Sequence, residues 1–159
     1  MPDESLLLML KEIRKTTIDL LYGVSDDQAR FAAPGLVNTI LWHAGHAFVV
    51  VEHLGIAPLA DEPPVVPDGW FETFSWKSQP ATVTHWPAVA EVVAKLRDQE
   101  QRLAAGLEWA TPEKLAEPVG DPARGRTVRY SVLHGLHDEA RHQGEMYLLK
   151  KLAKKTAER

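Results

Sequence analysis

Leu6, Leu7, Leu10, Ile13, Thr17, Leu20 and Leu21 fall on one side of a helical wheel, with Lys11, Glu12 and Lys15 on the other. This pattern predicts a helix over about residues 4–22, with Gly23 as its stop. Ser25-Asp26-Asp27-Gln28 offers a cap and a short helical turn, which Pro34-Gly35 breaks. Asn38 is the expected N-cap of a second helix that runs to Leu54 and stops at Gly55. That stretch is apolar on most faces, as suits a helix in the middle of a bundle. A long connection from about Gly55 to Thr84 contains Pro58, Pro63, Pro64, Pro67 and Pro80, with Trp70, Phe71, Phe74 and Trp76 between them. A connection of that length within a domain is functional or a crossover, and its aromatic residues favour burial over a disordered tether.

A third helix is expected from about His85 to Leu107, capped by Thr82 or Thr84, with Pro87 in its first turn. Val89, Val92, Val93, Leu96, Leu103 and Leu107 give it an apolar stripe. Thr111-Pro112-Glu113 opens a short helical turn through Leu115, and Pro118 to Arg126 is a turn-rich loop. The last helix begins near Thr127 or Ser131 and runs to about Ala153. There is no β-alternation of any length and no internal repeat. Four main helices with at least one long connection predict an all-α fold, a four-helix bundle with a long crossover connection, forming one domain over residues 1–159.

Composition narrows the function classes. Hydrophobic residues make up 45% and charged residues 25% of the 159 residues, an ordinary balance for a globular chain. The formal net charge of −4 gives no electrostatic reason to bind nucleic acid. Lys150, Lys151, Lys154 and Lys155 suit a helix C-terminus, where cations oppose the macrodipole. With no cysteine, disulfides, thiolate ligands and a cysteine nucleophile are excluded. Asp3 and Glu4 precede the first apolar run, so no signal peptide is expected. The runs Leu6 to Leu10 and Ala47 to Val51 are too short to span a bilayer. A cytoplasmic protein is expected.

Two segments carry the chemistry. Trp42-His43-Ala44-Gly45-His46 and the stretch from His134 to Glu145 hold five of the seven histidines. Asp138 and His142 are four residues apart, so on a helix their Cβ atoms lie about 5–6 Å from one another on one face. His134 and Glu145 extend that stripe, whereas His137 points elsewhere. His46, on another helix, is placed to supply a third ligand. Two imidazoles and a carboxylate suit zinc, nickel or ferrous iron, and three protein ligands leave an open position, as catalytic sites do. Taken singly, each histidine is better explained as a core or surface residue. His53 and His85 are read so, Tyr22, Tyr130 and Tyr147 as packing residues, and Trp42 as core.

The same residues resemble the DinB/YfiT-like superfamily of small four-helix metalloenzymes. Trp42-His43-x-x-His46, with Glu52 following, is similar to the second-helix motif of the branch that includes the N-terminal domains of ergothioneine-forming sulfoxide synthases. Leu136-His137-Asp138-Glu139-x-x-His142-Gln143-Gly144-Glu145 is similar to the fourth-helix motif, commonly His-x-x-x-His followed by a Gly-Gln-like pair. The resemblance implies a divalent metal held by His46, Asp138 and His142. Asp138 departs from the common triple-histidine form, as a glutamate does in mycothiol-dependent isomerases.

The resemblance further implies metal-dependent transfer or isomerisation with a low-molecular-weight thiol, so a thiol-dependent S-transferase acting on a small molecule is expected. Glu139 and Arg141, with Glu145, are the expected contacts to substrate or to the ligands, Arg141 through a substrate carboxylate. Trp70, Phe71 and Trp76 are expected to line the pocket. The substitution at Asp138 leaves room for a non-catalytic, stress-related bundle with a vestigial site, and an open metal position for a metal-dependent hydrolase. Family resemblance and the apolar stripes of the first and third helices suggest a homodimer.

Overall fold

The computed structural model describes residues 3–157. Asp3 opens α1 (Glu4–Leu21) by accepting from the Leu6 amide at 3.2 Å. Gly23, at φ +69°, turns the chain away in a left-handed conformation that glycine adopts freely. α2 (Asp26–Ala29) begins with a capping box in which Ser25 and Gln28 each accept from the other's amide.

The long apolar helix, α3 (Ile40–Ala60), differs from expectation at both ends. Thr39, not Asn38, caps it by accepting from the Trp42 amide at 3.2 Å. Gly55 does not stop it. Glu52–Ile56 form a wider π-turn, in which the Ala57 amide reaches back to the Glu52 carbonyl, and the helix continues to Ala60. Pro58 explains the turn: it has no N–H to give a carbonyl in the preceding turn, and the wider turn carries the helix past it. Asp61, at φ 57°, closes the helix in the left-handed region.

Within the connection lies α4 (Trp70–Phe74). α5 (Val89–Trp109) starts later than His85, and its cap is not Thr82 or Thr84. Asp26, on α2, accepts from the Val89 amide at 2.8 Å and so caps α5 from across the fold. Thr111 caps α6 (Pro112–Ala116), and α7 (Val128–Ala157) runs a turn beyond the expected end at Ala153. Among the described residues, extended pairing is limited to an isolated bridge between Pro118 and Thr127. The fold is all-helical.

α1 packs against α5 and α7, and α3 packs against the same two helices. The long helices therefore follow the order α1, α7, α3, α5 around the interior, and the long connection joins two neighbours. α3 is apolar enough to cross a membrane, but 78% of its apolar window is buried here, so its apolarity serves the core. Two apolar clusters form that core. One gathers Leu41, Phe48, Trp70, Phe74, Leu96 and Met146; the other gathers Leu6, Leu10, Val51, Leu103, Leu107 and Leu136.

Between the clusters runs a buried polar belt. Arg14, fully buried, donates to both Glu139 carboxylate oxygens at 3.0 and 2.9 Å, to the Leu96 carbonyl at 2.6 Å and to Gln99 at 2.9 Å. Gln99 donates to the Phe48 carbonyl and to Glu52, which also pairs with Arg102. All four long helices contribute to this belt and its charges are paired, as buried charges must be, although Glu52 Oε2 is buried without a hydrogen-bond partner.

Candidate metal centre

α3 and α7 pack side by side, and that contact brings the two histidine segments together. Among the described residues, two groups of side chains could hold a metal ion: His46, Asp138 and His142, and His43, His142 and Glu145. Within each group one donor atom per residue lies within 4.8 Å of the others. In the first group, Asp138 Oδ2 is 3.4 Å from His46 Nε2 and 3.4 Å from His142 Nε2. Metal–ligand bonds of about 2.0–2.2 Å at tetrahedral angles place donor atoms about 3.3–3.6 Å apart, so these separations suit one shared cation. Asp138 Oδ2 is also buried without a hydrogen-bond partner. An orphaned carboxylate oxygen is costly, and a cation is the partner that would relieve it.

The surrounding atoms aim the rings. His46 Nδ1 lies 2.6 Å from the Phe74 carbonyl. A carbonyl only accepts, so Nδ1 carries a proton, and Nε2 is the ring atom turned toward Asp138. The Trp42 indole stacks on His46 with centroids 4.5 Å apart, and its N–H donates to Ser78 Oγ at 2.8 Å. On the other side, His43 Nδ1 is 2.8 Å from His142 Nδ1, and His43 Nε2 is 3.2 Å from Glu145 Oε2. Burial, then repulsion from His142 and from His46, pushes the His43 imidazole from 6.5 down to about 3, so it is neutral near pH 7. Burial alone would raise the Asp138 carboxyl. The His142 and His46 imidazoles outweigh it and hold Asp138 well below the usual carboxylate range, in the charged form a cation needs.

The family model of the DinB superfamily matches residues 9–146. The chain belongs to the DinB superfamily. No curated protein matches it. The residues of this DinB superfamily member that could hold a divalent cation sit on its second and fourth long helices, within the matched span.

Of the residues singled out from the sequence, His46, Asp138 and His142 come together. Glu139 does not join them. Its side chain is buried, and its oxygens accept from Arg14 and, at 2.7 Å, from Thr17. One residue along a helix turns a side chain by roughly a quarter of the circumference, which takes Glu139 off the face that Asp138 and His142 share. Arg141 is exposed and has no ion pair among the described residues. His137 and His134 are exposed, His134 stacked on Tyr130.

His43 was not singled out, although it lies three residues from His46 and so on a nearby face of the same helix. Nothing in the sequence marks the Phe74 carbonyl. Of the expected pocket aromatics, Trp70 is buried against Phe48 and Phe74, while Phe71 and Trp76 pack around His53. Tyr22, Tyr130 and Tyr147, expected to pack, are exposed. A cavity of about 200 Å³ lined by Leu36, Val37, His43, Glu145 and Leu148 lies on the His43 side, and its lining does not include His46, Asp138 or His142.

Proposed function

We propose that this chain is a divalent-metal-dependent enzyme built on a four-helix bundle, with His46, Asp138 and His142 as ligands, catalysing transfer from or to a low-molecular-weight thiol. The observation that carries this reading is the buried, unpartnered Asp138 Oδ2, set 3.4 Å from two Nε2 atoms. Zinc, nickel or ferrous iron suits the nitrogen and oxygen donors. Such an ion supplies Lewis acidity at an open position, where it favours a thiolate over a thiol. Asp138 provides the one negative charge of the set, so a divalent ion held there would keep net positive charge to attract a thiolate. Trp42, stacked on His46, screens that ring from water. Arg141 is free to meet a carboxylate on the thiol or its acceptor.

The test is turnover. Protein purified without metal, then reloaded with zinc, nickel or iron, is incubated with bacillithiol, mycothiol or glutathione and an electrophile. Thiol-dependent turnover that disappears with chelator supports the proposal. Metal-dependent cleavage of esters or amides without thiol would instead favour a hydrolase, and no metal-dependent turnover of either kind would favour a vestigial site.

A further inference from the structure

We propose that His43 and Glu145 are positioning residues that hold the His142 proton on Nδ1 and thereby aim its Nε2 lone pair at the Asp138–His46 side. This rests on the metal-site reading above, and its own observation is a line of contacts. Glu145 Oε2 lies 3.2 Å from His43 Nε2, His43 Nδ1 lies 2.8 Å from His142 Nδ1, and His142 Nε2 lies 3.4 Å from Asp138 Oδ2.

The protons along this line follow from the acceptors. A carboxylate has none to give, so His43 Nε2 carries the hydrogen that faces Glu145. A neutral imidazole then has a bare Nδ1, and the short Nδ1–Nδ1 contact needs one proton, which His142 supplies. His142 Nε2 is then the ring atom turned to the face where Asp138 waits. The Phe74 carbonyl does the same for His46 by a direct bond at 2.6 Å. Two acceptors in different parts of the fold thus set both rings in the same sense, and a ligating imidazole whose other N–H is held in this way is fixed in orientation and made more basic.

The competing assignment makes His43, His142 and Glu145 a second cation site. The 2.8 Å between the two Nδ1 atoms argues against it. Two nitrogens on one tetrahedral cation stand about 3.3 Å apart or more, whereas 2.8 Å is the separation of a donor and an acceptor sharing a proton.

The experiment has two readouts. In metal-free protein with ¹⁵N-labelled histidine, long-range ¹H–¹⁵N correlation shows which ring nitrogen of His142 is protonated. Nδ1–H is expected in the wild type, and His43→Phe shifts His142 toward Nε2–H; a wild-type His142 protonated on Nε2 overturns the proposal. The second readout is zinc or nickel binding. His43→Phe keeps one ion per chain but weakens affinity about 10–100-fold. His43→Gln recovers part of the loss, because its amide oxygen can accept from His142 Nδ1–H. Glu145→Gln, at an exposed position, gives a smaller loss. Unchanged affinity in His43→Phe overturns the proposal, as do two ions per wild-type chain falling to one in the variants. A wild type that binds no ion defeats the metal-site reading alone, since the protonation measurement still decides the positioning role.

Discussion

Asp138 and Glu139 are adjacent acids with different work. Asp138 faces two imidazoles with an unpartnered oxygen, whereas Glu139 is consumed by Arg14 and Thr17. Glu139→Gln should therefore cost about 3–5 kcal/mol, because it leaves the buried Arg14 charge uncompensated. Urea unfolding measures that loss, and the metal content of the folded variant should match the wild type. Asp138→Ala should instead lose the metal while remaining folded. His43 sets a pH dependence in metal-free protein. Unfolded it takes up a proton near 6.5, and folded only near 3. Between these values the unfolded chain binds more protons, so stability falls as pH drops from 6.5 toward 3. Asp138, depressed in the fold, keeps its contribution above its ordinary 3.8 and loses it only on further acidification. Urea unfolding in chelator across this range should show a flatter slope for His43→Gln. The Asp138/His142 pairing was legible, because a four-residue helical spacing fixes a shared face. The proton line through His43 was not, since spacing does not say which nitrogen meets which acceptor.

At the scale of elements, the site depends on a close approach between α3 and α4. A Cβ added at Gly45 would lie 2.4 Å from the Phe74 ring, which is fully buried and has nowhere to go. Gly45→Ala should push α4 outward and cost about 1–3 kcal/mol by overpacking. Because α4 carries the carbonyl that holds His46, the same variant should weaken zinc binding, which a variant acting on stability alone would not. Helix interiors were legible from apolar periodicity, as α1 and α5 show. Boundaries were missed where the deciding partner lies outside the local sequence. Asp26 caps α5 from across the fold, and a π-turn carries α3 past both Gly55 and Pro58. Asp26→Ala should lower stability by about 1 kcal/mol, as loss of an N-cap does, measured by thermal unfolding.

For the molecule as a whole, the polar belt from Arg14 to Glu52 was hidden from sequence, because single charged residues within apolar stripes look like surface positions. The stripes of α1 and α5 pack largely inside the chain, with Leu7, Ile13, Leu20 and Val93 only partly buried. What the fold does assemble is a meeting of its second and fourth long helices at three donor atoms. Equilibrium zinc and nickel binding to protein purified in chelator, with metal content counted per chain, tests that meeting directly. The wild type should take up one ion per chain, His137→Ala should do the same, and His46→Ala, Asp138→Ala and His142→Ala should each lose it while remaining folded by circular dichroism. Equal, substoichiometric metal in the wild type and in those three variants would contradict a metal centre at this place.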